Sequence, residues 1–473
     1  MRVEARPGHL TSDAGVLALR EVFERLGLSK FLVDHLADGR KPELITYPLP
    51  ELVRTVVLLL ALGYRDLDDA DALREEPALR LAVSDRKGIS SLETPERPEG
   101  VEPPRNPPEP EHLASQPTLS RLTEALSTKH ERDALRGAIF ECAARRLEAI
   151  RGHRQRYMTL DFDSVPVPVH GHQAESAYNG HYYDTIYHPL VASIAETGDL
   201  LDIDLRHGNA HTAEGGLEFI VSVVERAERR LCQVAAVRVD AGFPDEDLLG
   251  PLEKRRTPYV ARVRNNSVLD KMAAPLLRRP VGRRPKEPRT WFHEFQYQAK
   301  EWSHARRVVL VVLERDEELF VHHFWLITNW SQDQMDGQAL LEEYRERGTA
   351  EGHQGELMSV LAPLLSSTER PKATYAGHRV TSECPSVDAF AVNEVRLLLN
   401  ALAYNLMHAA RVLTEKATGE GWGLARFRER VLKVAARILV HSRRATFVIS
   451  TSSAHLWQAV WQQIAQLHWA AAG

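Results

Sequence analysis

The sequence predicts an α/β protein in which a mixed β-sheet lies between helical N- and C-terminal regions. Two observations predict this class. Apolar residues recur at helical spacing over the first 150 residues and again from Asp336, whereas the segments from Tyr157 to Arg264 have the alternation and β-branched content of strands. Hydrophobic residues make up 43% and charged residues 26% of the 473 residues, as in a soluble globular protein of several domains.

Residues 1–150 are predicted to form a helical region. Helical spacing runs through Ala14–Leu28, Leu49–Leu62, Asp66–Val83 and Leu119–Ile150. The Pro- and Glu-rich segment Thr94–Pro117 interrupts it and is predicted to be an extended, exposed loop.

Residues 151–264 are predicted to form the first part of the core. In chain order, they read as strands Tyr157–Asp163, Leu190–Glu196 and Leu200–Arg206, helix Ala213–Arg230, strand Val234–Asp240, helix Pro244–Arg256 and strand Pro258–Arg264. The first three strands would pair as a meander, and the last two would join the sheet through helical crossovers. This is the strand order of a ribonuclease-H-like core.

The rest of the chain is predicted in three parts. Residues 265–335 are a basic, β-rich insertion, with its clearest strands at Arg306–Leu313 and Leu319–Thr328. Residues 336–415 return to helical spacing and complete the core. Residues 416–473 are predicted to form two terminal helices after the break at Gly419–Gly423.

The charges are unevenly distributed. The net charge is −5, yet twelve Lys or Arg and only two acids lie between Lys254 and Arg289, and seven Lys or Arg accompany Glu429 between Arg426 and Arg444. Such runs can bind phosphates in spite of a negative total, although a charge run can equally be a solvated face. The first residues lack an apolar signal core and the apolar runs are too short to cross a bilayer, so a cytoplasmic protein is expected.

Carboxylates at strand ends provide the candidate chemistry. Asp163 ends the first strand, with Asp161 one alternation earlier, and Asp240 ends the fourth strand, its expected neighbour. Glu351 lies on a later helix, on one face with Tyr344 and Arg347. Two Mg²⁺ or Mn²⁺ ions held by such oxygen ligands could cleave phosphodiesters. Helix or turn capping by Asp and simple solvation of Glu are the alternatives.

A zinc hydrolase is a rival hypothesis, because six histidines fall between His170 and His211 and the pair His207 and His211 has a plausible ligand spacing. Gly208 and Asn209 interrupt that pair, so it does not resemble a helical zinc motif. Cys142, Cys232 and Cys384 lie far apart and are expected to be reduced thiols.

Several segments together resemble the thirteen-eighty family of bacterial insertion-sequence transposases, within the DDE transposase superfamily. The most specific is LDFDSVPVPVHGHQAESAYNGHYYDTIYHPL at Leu160–Leu190. VRVDAGFPDEDLL at Val237–Leu249 and YRERGTAEGHQGEL at Tyr344–Leu357 follow in the family's order, and NEVRLLLNALAYNLMHAAR at Asn393–Arg411 resembles its closing helix.

The resemblance implies a metal-dependent DNA nuclease and strand transferase that uses two Mg²⁺ or Mn²⁺ ions. The implied catalytic, metal-binding triad is Asp163, Asp240 and Glu351, with Asp161 in reserve for the first position. Double-stranded DNA, as terminal inverted repeats and target, would be the partner of a homodimer in a synaptic complex near the bacterial nucleoid. The helical region of residues 1–150 would bind the element ends and mediate dimer contacts. The implied DNA contacts are Tyr344, Arg347, Arg262, Arg264, Arg283, Arg284, Lys286, Trp302 and Trp325. The two tryptophans could instead pack the core of the insertion.

Two departures from the family pattern leave an alternative open. The lysine expected seven residues after Glu351 is Met358, and Gly352 replaces a polar residue. A DNA-binding derivative of a transposase that has lost catalysis is therefore the second hypothesis for this chain.

Overall fold

The computed structural model describes residues 9–84, 112–151, 156–211, 213–279, 287–315, 320–367, 374–375, 378–379, 388–441 and 444–467. The chain forms two compact units. The first comprises Met1–His153, Val167–Ser176 and Gly355–Gly473, and the second comprises Arg154–Pro166 and Ala177–Gln354. No helix within the described ranges is both long enough and apolar enough to cross a membrane.

The helices and strands are numbered along the chain. The helices are α1 Val16–Arg25, α2 Leu28–His35, α3 Leu49–Leu62, α4 Asp69–Ala72, α5 Pro77–Val83, α6 Gln116–Ala125, α7 Lys129–Arg151, α8 Gly216–Arg230, α9 Glu246–Arg255, α10 Ser267–Ala273, α11 Gly337–Arg345, α12 Arg347–Glu356, α13 Ala389–Thr418, α14 Leu424–Phe427 and α15 Thr451–Ala465. The strands are β1 His9–Thr11, β2 Tyr157–Ser164, β3 Val167–Pro168, β4 Ala177–Asn179, β5 Asp184–Tyr187, β6 Leu190–Ile194, β7 Leu200–Asp204, β8 Gln233–Val239, β9 Tyr259–Val263, β10 Arg289–Tyr297, β11 Arg306–Glu314, β12 His322–Thr328, β13 Thr374–Tyr375, β14 His378–Arg379, β15 Ala436–His441 and β16 Arg444–Ile449.

The first unit is built around the long helix α13, which packs against α1, α3, α7 and α15. The Asp388 carboxylate caps α13 by accepting a hydrogen bond from the Ala391 N–H, and Gly419 ends the helix in the left-handed conformation. Because α3 and α13 are buried on nearly every side, both consist mainly of apolar residues. The predicted helical N-terminal region is confirmed.

The predicted loop Thr94–Pro117 ends earlier than expected. Residues 94–111 lie outside the described residues, but Leu113 and Ala114 are buried, and Ser115 precedes helix α6. Pro117 lies in the first turn of α6, where a missing backbone N–H costs no helical hydrogen bond. A proline that suggested a loop therefore belongs to the start of a helix.

The C-terminal region also differs from the prediction of two helices. Strands β15 and β16 form an antiparallel hairpin before α15, and β1 pairs with β15. Ile438 is buried while Leu439 is exposed, which is the period of a strand with one covered face. Trp457 of α15 packs on that covered face with Val434 and Ala436.

The second unit contains an eight-stranded sheet in the order β10-β11-β12-β9-β8-β2-β6-β7. Strands β2, β6 and β7 form an antiparallel meander, and β8 and β9 lie parallel to β2 after the crossover helices α8 and α9. The five strands β7-β6-β2-β8-β9 confirm the predicted ribonuclease-H-like order.

The predicted insertion over residues 265–335 is part of that sheet. Strand β12 pairs antiparallel with β9, and β11 and β10 continue the sheet beyond it. Strand β11 is buried over most of its length because both of its faces are covered, as its run of apolar residues requires. The predicted boundary at residue 265 thus divides strands that the structure joins.

Helix α11 carries the chain from the extended sheet to the candidate site. The Asp336 carboxylate caps it, and Leu340 and Leu341 pack on a cluster that includes Val309 and Leu326. A Cβ at Gly337 would lie 2.8 Å from the Phe292 ring, so this position admits no side chain. The helix predicted from Asp336 is present, but it breaks at Glu346 before α12 begins.

Candidate active site

The first two acids lie where neighbouring parallel strands end. Asp163 is on β2, and Asp240 directly follows β8. In the register of these strands, Asp161 is opposite Arg238, so two residues further on Asp163 comes opposite Asp240. The Oδ1 atom of Asp240 accepts a hydrogen bond from the Gly242 N–H at 2.6 Å, which fixes this carboxylate at the turn.

Asp161 has a different environment from Asp163, although both point to the same side of β2. Its two carboxylate oxygens accept hydrogen bonds from Arg238 Nε and Nη2 at 2.6 and 2.7 Å. The side chains are 1% and 2% exposed. Arg238 also donates to the Glu343 carbonyl at 2.9 Å, so this buried ion pair joins β2, β8 and the end of α11.

The third acid is linked to the first by an arginine. Arg347 Nη2 donates to Asp163 Oδ2 at 2.5 Å, and its Nη1 donates to Glu351 Oε1 at 2.8 Å. The side chains of Arg347 and Asp163 are 10% and 14% exposed, whereas that of Glu351 is 60% exposed. One buried guanidinium therefore connects two carboxylates that are remote in sequence.

The electrostatics show that the three acids affect one another. The pKa of Asp163 is raised from its ordinary 3.8 to about 6, chiefly by burial; Arg347 opposes this rise, and the charges of Asp240 and Glu351 add to it. The charged form of Asp163 is thus disfavoured in the folded protein. An additional positive charge beside these carboxylates would relieve both the burial cost and the repulsion.

The donor set suits a hard divalent cation. Carboxylate oxygens are the ligands that Mg²⁺ and Mn²⁺ prefer, and Asp163, Asp240 and Glu351 supply only such oxygens. Arg347 lies between two of them, and within the described ranges no three His, Cys, Asp or Glu side chains form a ready metal cluster. A cation would therefore have to replace the guanidinium at these oxygens.

The residues predicted to contact DNA fall into two groups. Arg262 and Arg264 are exposed, with the Arg262 guanidinium 5.3 Å from the centre of the Phe324 ring, and Tyr344 is half-buried beside the acids. Arg283, Arg284 and Lys286 lie outside the described residues.

The two tryptophans predicted to stack on bases are buried. Trp325 is 0% exposed and its ring centre lies 5.5 Å from that of Phe295, while Trp302 is 6% exposed and packs on Tyr297. Both rings are covered by neighbours in the unit, which favours the alternative that they pack the core.

The histidines of the zinc hypothesis bond within their own loop. His207 uses one ring nitrogen with Asn209 at 2.7 Å and the other with Glu214 at 2.9 Å. His211 Nδ1 accepts from the Ala213 N–H at 3.3 Å. The ring nitrogens of His207 and His211 named here thus take part in hydrogen bonds within the loop. Of the three cysteines, Cys384 lies outside the described residues.

A hairpin beside the acids was not identified as a functional feature by the sequence reasoning. Strands β4 and β5 are antiparallel, and their turn carries Tyr182, whose pKa is raised by burial and by the charges of Asp163 and Asp240. The tyrosine-rich run SAYNGHYYD is the feature of the sequence that could have pointed to this hairpin, but it lies within the longer family-like segment Leu160–Leu190.

Comparisons with known proteins found one matching family model and a similar solved structure. The family model described as "Transposase DDE domain group 1" matches residues 1–361 and 377–469. No curated protein matches the chain. A solved structure, the cryo-EM structure of a piggyBac transposase synaptic complex with hairpin DNA, is similar over 88% of this chain and 79% of that chain, with 11% identity and a TM-score of 0.41. Because the family model spans nearly the whole chain, this protein belongs to the DDE transposases, DNA-transposing enzymes that act as metal-dependent nucleases and strand transferases.

Proposed function

We propose that Asp163, Asp240 and Glu351 are the catalytic triad and hold two Mg²⁺ or Mn²⁺ ions. The observation that carries this proposal is the pair of hydrogen bonds from Arg347, which draws Asp163 and Glu351 together next to Asp240. Asp161 is 1% exposed and is paired with the equally buried Arg238, whereas Asp163 is 14% exposed and shares its arginine with Glu351, so we place Asp163 in the first position.

The protein contributes two fixed ligands and one adjustable ligand. Asp163 and Asp240 are held by paired strands, whereas Glu351 is largely exposed on α12 and can shift toward a cation without unpacking the core. When bound, divalent ions supply activation of the attacking oxygen, stabilisation of the leaving oxygen and neutralisation of the phosphate.

Arg347 is proposed to change partners during this process. Its guanidinium neutralises Asp163 and Glu351 until cations take over that task. It is then available to donate two parallel hydrogen bonds to a DNA phosphate, a geometry for which a guanidinium is well suited. We propose that Tyr344 positions a nearby backbone oxygen, and that Arg262, Arg264 and the basic run with Arg283, Arg284 and Lys286 contact other phosphates.

The proposed reaction has two steps. Water cuts a phosphodiester at a terminal inverted repeat of the element, and the freed 3′-hydroxyl then attacks target DNA in line. Cut-and-paste movement by a homodimer that holds two element ends is the mode we propose. We place this activity at the nucleoid in the bacterial cytoplasm, where both DNA substrates are present.

Cleavage of a labelled duplex that carries a terminal inverted repeat and its flank tests this assignment. Wild-type protein with Mg²⁺ or Mn²⁺ should nick the duplex, and both chelator and Asp240→Asn should abolish nicking. The matched control is Asp333→Asn, which removes an exposed carboxylate in the turn before α11 and should leave nicking unchanged. Tight binding without nicking by the wild type would instead indicate the catalytically inactive DNA-binding derivative.

A further inference from the structure

The β4–β5 hairpin presents an exposed aromatic side chain at its tip. Tyr178 pairs with Thr185 and Asn179 with Asp184, and residues 180–183 form the turn. The Tyr183 N–H donates to the Asn179 carbonyl at 2.9 Å, and the His181 N–H donates to Asn179 Oδ1 at 3.0 Å. Tyr183 is nevertheless 81% exposed, more than the other large hydrophobic side chains of the described residues.

The β4–β5 hairpin is held in place by other residues of the second unit. The Asn179 side chain donates to the Gly208 carbonyl at 2.9 Å, and a Cβ at Gly208 would lie 2.0 Å from the Ile186 carbonyl oxygen. Only glycine permits this close approach of the two backbones. The ring of Tyr182 packs edge-on against His188, with the ring centres 5.6 Å apart. Contacts with Gly208 and His188 therefore hold the β4–β5 hairpin in place.

Tyr183 adopts an unusual backbone conformation. Its φ angle is 56°, in the left-handed region that non-glycine residues other than Asn and Asp rarely occupy. An exposed aromatic ring in a disfavoured backbone conformation gains nothing from the core of the protein. Such outliers are concentrated at sites that bind ligands or perform chemistry.

The hairpin emerges at the end of the sheet that carries the acids. Strand β5 ends at Tyr187, the Pro189 carbonyl accepts from the Val165 N–H at 3.1 Å, and Leu190 pairs with Ser164, the neighbour of Asp163. Seven residue steps separate Tyr183 from Leu190, so the tip lies at most about 25 Å from this end of β2. That limit corresponds to about seven base steps of DNA at roughly 3.4 Å per step.

We propose that Tyr183 binds DNA by stacking on an unpaired nucleobase beside the phosphate that is cut. This inference rests on the proposed cleavage at Asp163, Asp240 and Glu351. A base next to a cut site loses part of its stacking in the duplex, and an aromatic face replaces it independently of sequence. The buried rings of Trp302 and Trp325 cannot take this role without leaving their packing, whereas the Tyr183 ring is already exposed.

The test compares Tyr183→Ala, Tyr183→Phe and the control Tyr157→Ala. Tyr157 is 57% exposed at the opposite end of β2, so its removal changes an equivalent surface far from the acids. The probe is the terminal-repeat duplex with 2-aminopurine next to the cut. Its fluorescence rises when the base unstacks from the duplex and falls again when the base stacks on an aromatic ring. Measurements in chelator separate base binding from cleavage.

With wild type, Tyr183→Phe and Tyr157→Ala, the same stacked-base signal is expected. Tyr183→Ala should lose that signal and bind the duplex about 10- to 100-fold more weakly, since stacking on an aromatic ring contributes this much to affinity. If Tyr183→Ala retains both signal and affinity, the inference is wrong. If Tyr183→Phe fails together with Tyr183→Ala, a hydroxyl contact replaces stacking and the inference is also wrong. A wild type that shows the Tyr183-dependent signal but does not nick with Mg²⁺ would refute the cleavage proposal alone.

Discussion

Substituting Asp161 and Asp163 separately should give opposite results, although the two residues are one alternation apart on β2. Burial raises the pKa of Asp161 as it does that of Asp163, but Asp161→Asn also leaves Arg238 buried without the carboxylate that accepts two of its hydrogen bonds, and both side chains are at most 2% exposed. Removing one member of such a buried pair costs about 3–5 kcal/mol. Arg347, in contrast, keeps its hydrogen bond to Glu351 when Asp163 is replaced. The control Glu225→Gln breaks an exposed pair with Arg255, whose side chains are 46% and 30% exposed, and should cost less than about 1 kcal/mol.

Asp163→Asn should not destabilise the metal-free protein. The pKa of Asp163 rises from 3.8 in the unfolded chain to about 6 in the folded one, mainly because of burial. At about 1.36 kcal/mol per pKa unit, the ionised form costs the fold roughly 3 kcal/mol. That cost is absent below pH 4, grows between pH 4 and 6, and is complete above pH 6. The variant should therefore equal wild type at pH 4 and exceed its stability at pH 7.

Urea unfolding in chelator, followed by tryptophan fluorescence at pH 4 to 8, measures these free energies. Calorimetric titration with Mn²⁺ at pH 7 measures the sites. At pH 7, Asp161→Asn should lose stability and keep Mn²⁺ binding, and Asp163→Asn should gain stability and lose Mn²⁺ binding. A stable Asp161→Asn variant that has lost Mn²⁺ would refute the reasoning, because Asp161 would then be the metal ligand.

Three further predictions follow from the same geometry. Mn²⁺ affinity of the wild type should fall as the pH drops below about 6, because Asp163 must lose its proton to bind a cation, and calorimetry over that pH range would reveal a pH-independent affinity if this is wrong. Gly208→Ala should cost more than about 1–3 kcal/mol and weaken binding of the end duplex, since its Cβ would meet the Ile186 carbonyl oxygen at 2.0 Å; unchanged thermal unfolding would contradict the close approach. Trp325→Ala should cost about 3–5 kcal/mol in urea unfolding, and the protein that remains folded should bind DNA normally; a selective loss of DNA affinity would restore the base-stacking role.

Much of the core could be predicted because its determinants are local. Strands such as β2 and β8 show their alternation and end on acids, and the order of strands and helices limits how they can pair. The expected meeting of Asp163 and Asp240 followed from that order alone. Periodicity does not reveal, however, which strand a later segment pairs with, so β12 was assigned to an insertion although it pairs with β9.

The site was predictable only in part, for a related reason. Asp161 and Asp163 are the same residue type on the same face of β2, and the roles we propose for them differ because Arg238 is opposite the first and Arg347 contacts the second. Both contacts are long-range, and one of them spans 184 residues. The exposure of Tyr183 and the burial of Trp325 likewise depend on tertiary packing, which residue type does not determine.

The distance in sequence between the acids also affects the protein during its synthesis. Arg347 and Glu351 reach Asp163 only after a further 184 residues or more have been added to the chain. At about 5–20 residues per second, the ribosome needs roughly 10–40 s for this. Throughout that interval β2 and β8 can fold in the nascent chain before the last of the three acids has been added. With Glu351 as the proposed third ligand, the chain therefore cannot cleave DNA until translation has passed this residue.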